Sequence, residues 1–192
     1  MRLVLLGAPG SGKGTQATRL REHLQVPHIS TGELLRAAVN AATALGLKAK
    51  AVMESGGLVS DDIVLGMLEE RLLQPDTGNG FILDGYPRNL AQARALDSLL
   101  DRIRQPADVA VQLDVPAQLL VDRLSGRAHV EGRADDSPEA VRNRLAVYTG
   151  QTAPVVDFYR NTGKLVCVQG VGSMDEVFTR ILEAINPTSD VG

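Results

Sequence analysis

Short apolar runs alternate along this chain with longer stretches in which apolar residues recur every three or four positions. The runs LVLLG (3–7), VPHIS (26–30), FILDG (81–85), DVAVQLDV (108–115) and LVCVQG (165–170) predict strands. Several show no in–out alternation, as expected of parallel strands covered on both faces. Helices are predicted between them. Residues 13–24 place Ala17, Leu20 and Leu24 on one face. Residues 61–74 do the same with Ile63, Val64, Met67, Leu68 and Leu72, and residues 90–103 with Leu90, Ala93, Leu96, Leu100 and Ile103. Ser60 is the expected N-cap of the 61–74 helix, with Asp61 and Asp62 opposing the dipole in its first turn. A last helix starts at Ser173 with Glu176 three residues on, the pattern of a capping box, and carries Val177, Ile181 and Ile185 on one face.

This alternation predicts an α/β sandwich around a parallel sheet. Two stretches leave the pattern. Residues 30–59 are helical but sit between two strands with no obvious single crossover. Residues 126–136, GRAHVEGRADD, are polar and contain glycine. Both are expected to be excursions from the core. The end, NPTSDVG, is expected to fray.

Composition narrows the function classes. A length of 192 residues suits one domain with a full core. The formal net charge of −3 gives no general basic footprint for nucleic acid or an anionic membrane. No apolar run is long enough to span a bilayer. The apolar part of MRLVLLGAPG is only four residues long, too short for a signal peptide, so a cytoplasmic protein is expected. The single cysteine, Cys167, rules out an intrachain disulfide and a cysteine-based zinc site. Lying in LVCV, it is expected to be a small buried hydrophobe. His23, His28 and His129 are scattered and are assigned no chemistry.

The first strand runs into GAPGSGKGT (7–15), in which Gly7, Gly12 and Lys13 match the G-x-x-x-x-G-K core of a phosphate-binding loop. A buried strand before it and an amphipathic helix after it are the required context. Glycines let successive backbone N–H groups converge on phosphate oxygens, the helix N-terminus adds its positive end, and Lys13 adds a mobile charge. The place that usually carries a magnesium-binding hydroxyl is Gly14 here, and Thr15 comes one residue later.

Three further stretches carry chemistry. In HISTGELLR (28–36), Thr31 and Gly32 can open a helix with Arg36 one turn in, which fits either a phosphate ligand or a solvated arginine. In FILDGYPRNLAQA (81–93), Asp84 ends a strand beside the loop, where a carboxylate can hold Mg²⁺ through water. Arg88 follows a Gly-Tyr-Pro turn and can grip a phosphate bidentately. Gln92, one turn on, offers a donor and an acceptor that match the N1 and N6 edge of adenine. From Arg123 to Arg144 lie Arg123, Arg127, Arg133, Arg142 and Arg144, with Ser137, Pro138 and Glu139 starting a helix among them. Such a cluster is either solvated surface or a charge-stabilising set for phosphoryl transfer.

GAPGSGKGT, STGELLR, SGGLVSD and DGYPRNLAQ together resemble the nucleoside monophosphate kinases, and adenylate kinases with a short lid in particular, over nearly the whole chain. The resemblance implies a three-layer P-loop NTPase-type sandwich with a central five-stranded parallel sheet. The core would comprise residues 1–29, 60–125 and 137–192, with an NMP-binding flap at 30–59 and a short lid at 126–136. It implies reversible phosphoryl transfer from MgATP to AMP by a monomer. ATP would be held by Gly10, Ser11, Gly12, Lys13, Gly14, Thr15, Arg123, Arg127 and Gly172. AMP would be held by Thr31, Arg36, Gly57, Leu58, Val59, Gly85, Tyr86, Pro87, Arg88, Gln92, Arg133 and Arg144. Lys13, Arg88, Arg127, Arg133 and Arg144 would carry the catalysis, with Asp84 behind the waters of Mg²⁺. The inserted hairpin and zinc site of longer lids are absent from this sequence. Asp135 and Asp136 would either hold the closed arginines or only balance charge. A UMP/CMP kinase remains an alternative, since it shares the loop and arginines but typically carries Ala and Asn where Thr31 and Gln92 stand. A nucleotide-binding switch or ATPase module that needs no monophosphate is the alternative from another class.

Overall fold

The computed structural model describes residues 1–131 and 136–186, with side chains up to Arg127 and from Asp136 onward. The strands are β1 (Arg2–Gly7), β2 (His28–Ser30), β3 (Phe81–Asp84), β4 (Val109–Asp114) and β5 (Leu165–Gln169). They form one parallel sheet in the order β2-β3-β1-β4-β5. All five predicted strands are present, each shifted by no more than two residues at an end.

The unbroken apolar runs are explained by two covered faces. On β1, Leu3 and Leu5 join Ala17 and Leu20 of α1 (Lys13–Leu24) and Val177, Ile181 and Ile185 of α9 (Met174–Ile185). Val4 and Leu6 face the other way. There they meet Val64 and Leu68 of α4 (Asp61–Leu72), Leu96 and Leu100 of α5 (Leu90–Arg102), and Val155 and Tyr159 of α8 (Ala153–Asn161). Burying a leucine side chain from each set contributes about 1.5–3 kcal/mol.

The start of β1 is held by polar contacts. The Arg2 N–H donates to Asp108 Oδ2 at 2.6 Å, and the Phe81 N–H donates to the Met1 carbonyl at 3.1 Å. Gly80, at φ +134°, lies so close to Met1 that a Cβ there would sit 2.1 Å from its carbonyl oxygen.

The 30–59 excursion is a pair of helices, α2 (Thr31–Asn40) and α3 (Ala44–Glu54). α2 opens at Thr31 as expected and is capped by Ser30, whose hydroxyl accepts the Glu33 N–H at 3.3 Å. α6 (Ala117–Glu131) was not predicted; it continues into the 126–136 stretch, so the first half of that stretch is helical. α7 (Pro138–Val147) starts at the Ser137 cap as expected. A π-helical segment, Tyr148–Thr152, joins it to α8.

Three expectations are corrected. Cys167 is exposed, its thiol facing Gln112 Oε1 at 3.3 Å. It lies on the edge strand, and the cluster that takes in Leu165 on that face does not extend to it. Leu90 is 38% exposed, because it opens α5 ahead of the turns that meet the core. Ser60 stands at the N-cap of α4, but its hydroxyl accepts no capping hydrogen bond. The capping box of Ser173 and Glu176 is formed.

Candidate active site

The C-terminal ends of the parallel strands open into a cleft of ≈ 820 Å³. This is where a ligand site is expected in a sheet of this type. The loop after β1 forms its floor. Gly12 caps α1 at φ 95° and Gly10 lies at φ 83°, left-handed conformations that favour glycine. Lys13 opens α1 and folds back over the loop. Its Nζ donates to the carbonyls of Gly7 at 2.8 Å and Ala8 at 2.9 Å. Burial lowers the Lys13 pKa to about 8. Asp84 opposes that shift, and Arg88, Arg144 and Arg127 reinforce it.

The depressed pKa gives a measurable outcome. A phosphate needs the ammonium form, and the free protein loses that form as pH rises through about 8. ATP affinity should therefore be level near neutrality and weaken by roughly tenfold per unit at higher pH, until the pKa of the bound form is reached. Calorimetry near pH 8 should record proton uptake on binding. Flat affinity to pH 9.5 without proton uptake would remove Lys13 from the phosphate site.

Asp84 ends β3 at the back of the cleft, where an added Cβ on Gly14 would lie 3.9 Å from its Oδ2. Burial alone would raise its pKa, but His28, Lys13 and Arg88 outweigh burial and hold the carboxyl below its usual range. His28 Nε2 lies 3.6 Å from Asp84 Oδ2. That proximity follows from the parallel register of β2 on β3, which pairs His28 with Ile82 and Ser30 with Asp84. No sequence motif announces it.

Arg88 precedes α5 rather than lying within it, and three contacts fix it. Its N–H donates to Gln92 Oε1 at 2.7 Å and its Nε donates to the Gly85 carbonyl at 2.8 Å. Its carbonyl accepts from Thr152 Oγ1 at 2.6 Å. Thr152 belongs to the π-helical segment and carried no sequence signal. Gln92 is 2% exposed, and both ends of its amide already have protein partners, since Nε2 donates to Asp61 Oδ1 at 2.8 Å.

Elsewhere in the lining, Arg123 Nη2 donates to the Gly170 carbonyl at 3.1 Å. Arg127 donates through Nε and Nη2 to the two oxygens of Asp136, both at 2.6 Å. Arg144 Nη1 joins the same carboxylate at 2.7 Å. The Asp136 side chain is fully buried and pairs with both arginines.

The cleft thus brings Gly10, Ser11, Gly12, Lys13, Gly14, Thr15, Asp84, Arg123, Arg127 and Gly172 together with Arg36, Gly85, Tyr86, Pro87, Arg88 and Arg144. Leu58 lines the cleft too, and a second cavity of ≈ 60 Å³ adds Thr31, Gly57, Val59 and Gln92. Arg133 and Asp135 lie outside the described residues. Among the described residues, no three of His, Cys, Asp and Glu are grouped to hold a metal, and no helix is long and apolar enough to cross a membrane. The buried Asp84 carboxylate beside the loop is the residue that fits a magnesium ion held through water.

A family model described as adenylate kinase matches residues 5–164. The chain is 66% identical to the adenylate kinase of Stenotrophomonas maltophilia (strain K279a) over 185 residues, covering 96% of this chain and 99% of that one. It is 67% identical to the adenylate kinase of Xanthomonas campestris pv. campestris (strain 8004) over the same shares. The chain belongs to the adenylate kinase family.

Proposed function

We propose that the two sides of the cleft take different nucleotides. The reaction is ATP:AMP phosphoryl transfer, reversible, with two ADP as products. The observation that supports the division is that one cleft is lined both by Lys13 with its loop and by Arg36, Arg88 and Arg144.

Loop N–H groups from Gly10 to Thr15, together with Lys13, hold the ATP phosphates. Arg123, Arg127 and Gly172 complete that side. Arg36 and Arg88 hold the AMP phosphate, and Gln92 and Thr31 meet the base beside Gly57, Leu58 and Val59. Arg127, Arg133 and Arg144 stabilise the charge on the transferring group, which is the main task of a protein in phosphoryl transfer. Asp84 would hold a magnesium ion through water, and that ion, bound with ATP, would supply charge neutralisation to the phosphates. The flap at 30–59 and the lid at 126–136 close over the core and exclude water that would otherwise hydrolyse ATP. The chain works as a cytoplasmic monomer, a form that leaves the flap at 30–59 free to move.

The test is the initial rate of ADP formation from MgATP with AMP, UMP, CMP, GMP or no acceptor. Strong preference for AMP is expected. Preference for UMP or CMP would retain the phosphate assignments and overturn the base assignment. ATP consumption indifferent to every monophosphate would overturn the acceptor site.

A further inference from the structure

Gln92 stands in the first turn of α5 with an amide held from both ends. Oε1 accepts the Arg88 N–H at 2.7 Å, and Nε2 donates to Asp61 Oδ1 at 2.8 Å. A backbone N–H can only donate and a carboxylate can only accept. These two partners admit one orientation of the amide. The flipped amide would aim Nε2 at an N–H and Oε1 at a carboxylate, leaving both contacts repulsive. Asp61 is itself seated by Asn89, whose Nδ2 lies 3.2 and 3.4 Å from its two oxygens. Asn89 in turn caps α5, its Oδ1 accepting the Gln92 N–H at 2.8 Å.

An amide oxygen has two lone pairs and an amide nitrogen two hydrogens. One of each is committed to Arg88 and Asp61, so one acceptor and one donor remain in fixed order. A 6-aminopurine presents N6–H as donor and N1 as acceptor, which matches that order. A 6-oxopurine presents O6 as acceptor and N1–H as donor, which needs the amide reversed. We infer that Asp61 is a specificity-determining positioning residue. It locks the Gln92 amide in the orientation that takes 6-aminopurine monophosphates and refuses 6-oxopurine ones. The inference rests on the reading of Gln92 as the residue that meets the base.

Asp61→Asn tests it, because an asparagine of the same size can turn either its oxygen or its nitrogen toward Gln92. The measurement is kcat/KM for inosine monophosphate relative to AMP, with ATP affinity as the check on the fold and Gln92→Ala in parallel. The inosine-to-AMP ratio should rise at least about fivefold in Asp61→Asn, the discrimination carried by one buried polar mismatch. AMP efficiency should fall through KM more than through kcat. A structural role alone would lower both acceptors alike, and an unchanged ratio both in Asp61→Asn and in Asp61→Leu, which offers Gln92 no oxygen, would overturn the lock. An unchanged ratio in Gln92→Ala would instead remove the base reading on which the lock stands. If Asp61→Asn does not fold, the parent protein decides by NMR. One Gln92 Nε2 proton should be protected from exchange without AMP, and both with it. Free exchange of both protons in either state would overturn the proposal.

Discussion

Replacing Arg88 by alanine should lower kcat/KM for AMP by about 10²-fold or more, equivalent to about 3 kcal/mol of transition-state stabilisation. The magnitude follows from how firmly the residue is placed. Its N–H, Nε and carbonyl are each hydrogen-bonded, to Gln92, Gly85 and Thr152 respectively. The backbone bonds fix where the side chain starts and the Nε bond restrains the side chain itself, so less of its freedom is left to lose when a phosphate arrives. Arg88→Lys keeps the charge but loses both the planar fork and the Nε bond to Gly85, and should recover only a small part of the loss. Steady-state kinetics with AMP varied at saturating MgATP measures both variants. A change under about threefold in Arg88→Ala, less than 1 kcal/mol, would place the arginine outside the reaction.

The second large effect is expected at Asp136, on stability as well as rate. Its buried carboxylate accepts three hydrogen bonds from Arg127 and Arg144. Asp136→Asn keeps the volume and removes the charge, leaving two guanidinium groups facing each other. Removing one partner of a buried ionic group costs about 3–5 kcal/mol. The arginine side chains are 24% and 13% exposed, so water recovers part of this and about 2–3 kcal/mol remains. Thermal unfolding should shift down by about 5–10 °C for a chain of this size. In the proposed site ATP would supply phosphate charge to the same arginines, so saturating nucleotide should narrow the gap between variant and parent. An unchanged Tm, or a gap that nucleotide does not narrow, would show that the carboxylate does not organise the pair.

These two residues mark what the sequence made legible. Arg88 was readable because its surroundings are local, with GYP before it and Gln92 four positions later. The sheet was readable for the same reason, since each strand is a short apolar run bounded by polar turns. Asp136 could be read only as one of two possibilities, because the arginines it joins lie on helices whose packing sets their approach. His28 beside Asp84 and Thr152 beneath Arg88 were missed outright. The first depends on the β2–β3 register, and the second joins residues 64 positions apart through a π-helical turn. Gln92 was identified as a donor and acceptor, but the partners that fix its direction belong to α4 and the chain before α5. α6 escaped notice because its polar second half, running to Glu131, masks the helical period.

The two covered faces of β1 carry a consequence for alignment. Sliding the strand by one residue would exchange Leu3 and Leu5 with Val4 and Leu6, and both destinations are apolar. Hydrophobicity therefore opposes such a slip only weakly. The strand must be indexed from outside its own side chains. The Asp108 carboxylate on the Arg2 N–H does this at one end, with Gly80 packed against Met1. At the other end an added Cβ on Gly7 would lie 2.9 Å from the Leu113 carbonyl, so a slip that brought Leu6 or Ala8 to that place would clash. A slip of one residue would carry the loop and Lys13 about 3.3 Å along the sheet, further than a hydrogen bond spans. Alignment of the proposed phosphate site is thus set in part at residues 80 and 108, which do not line the cleft.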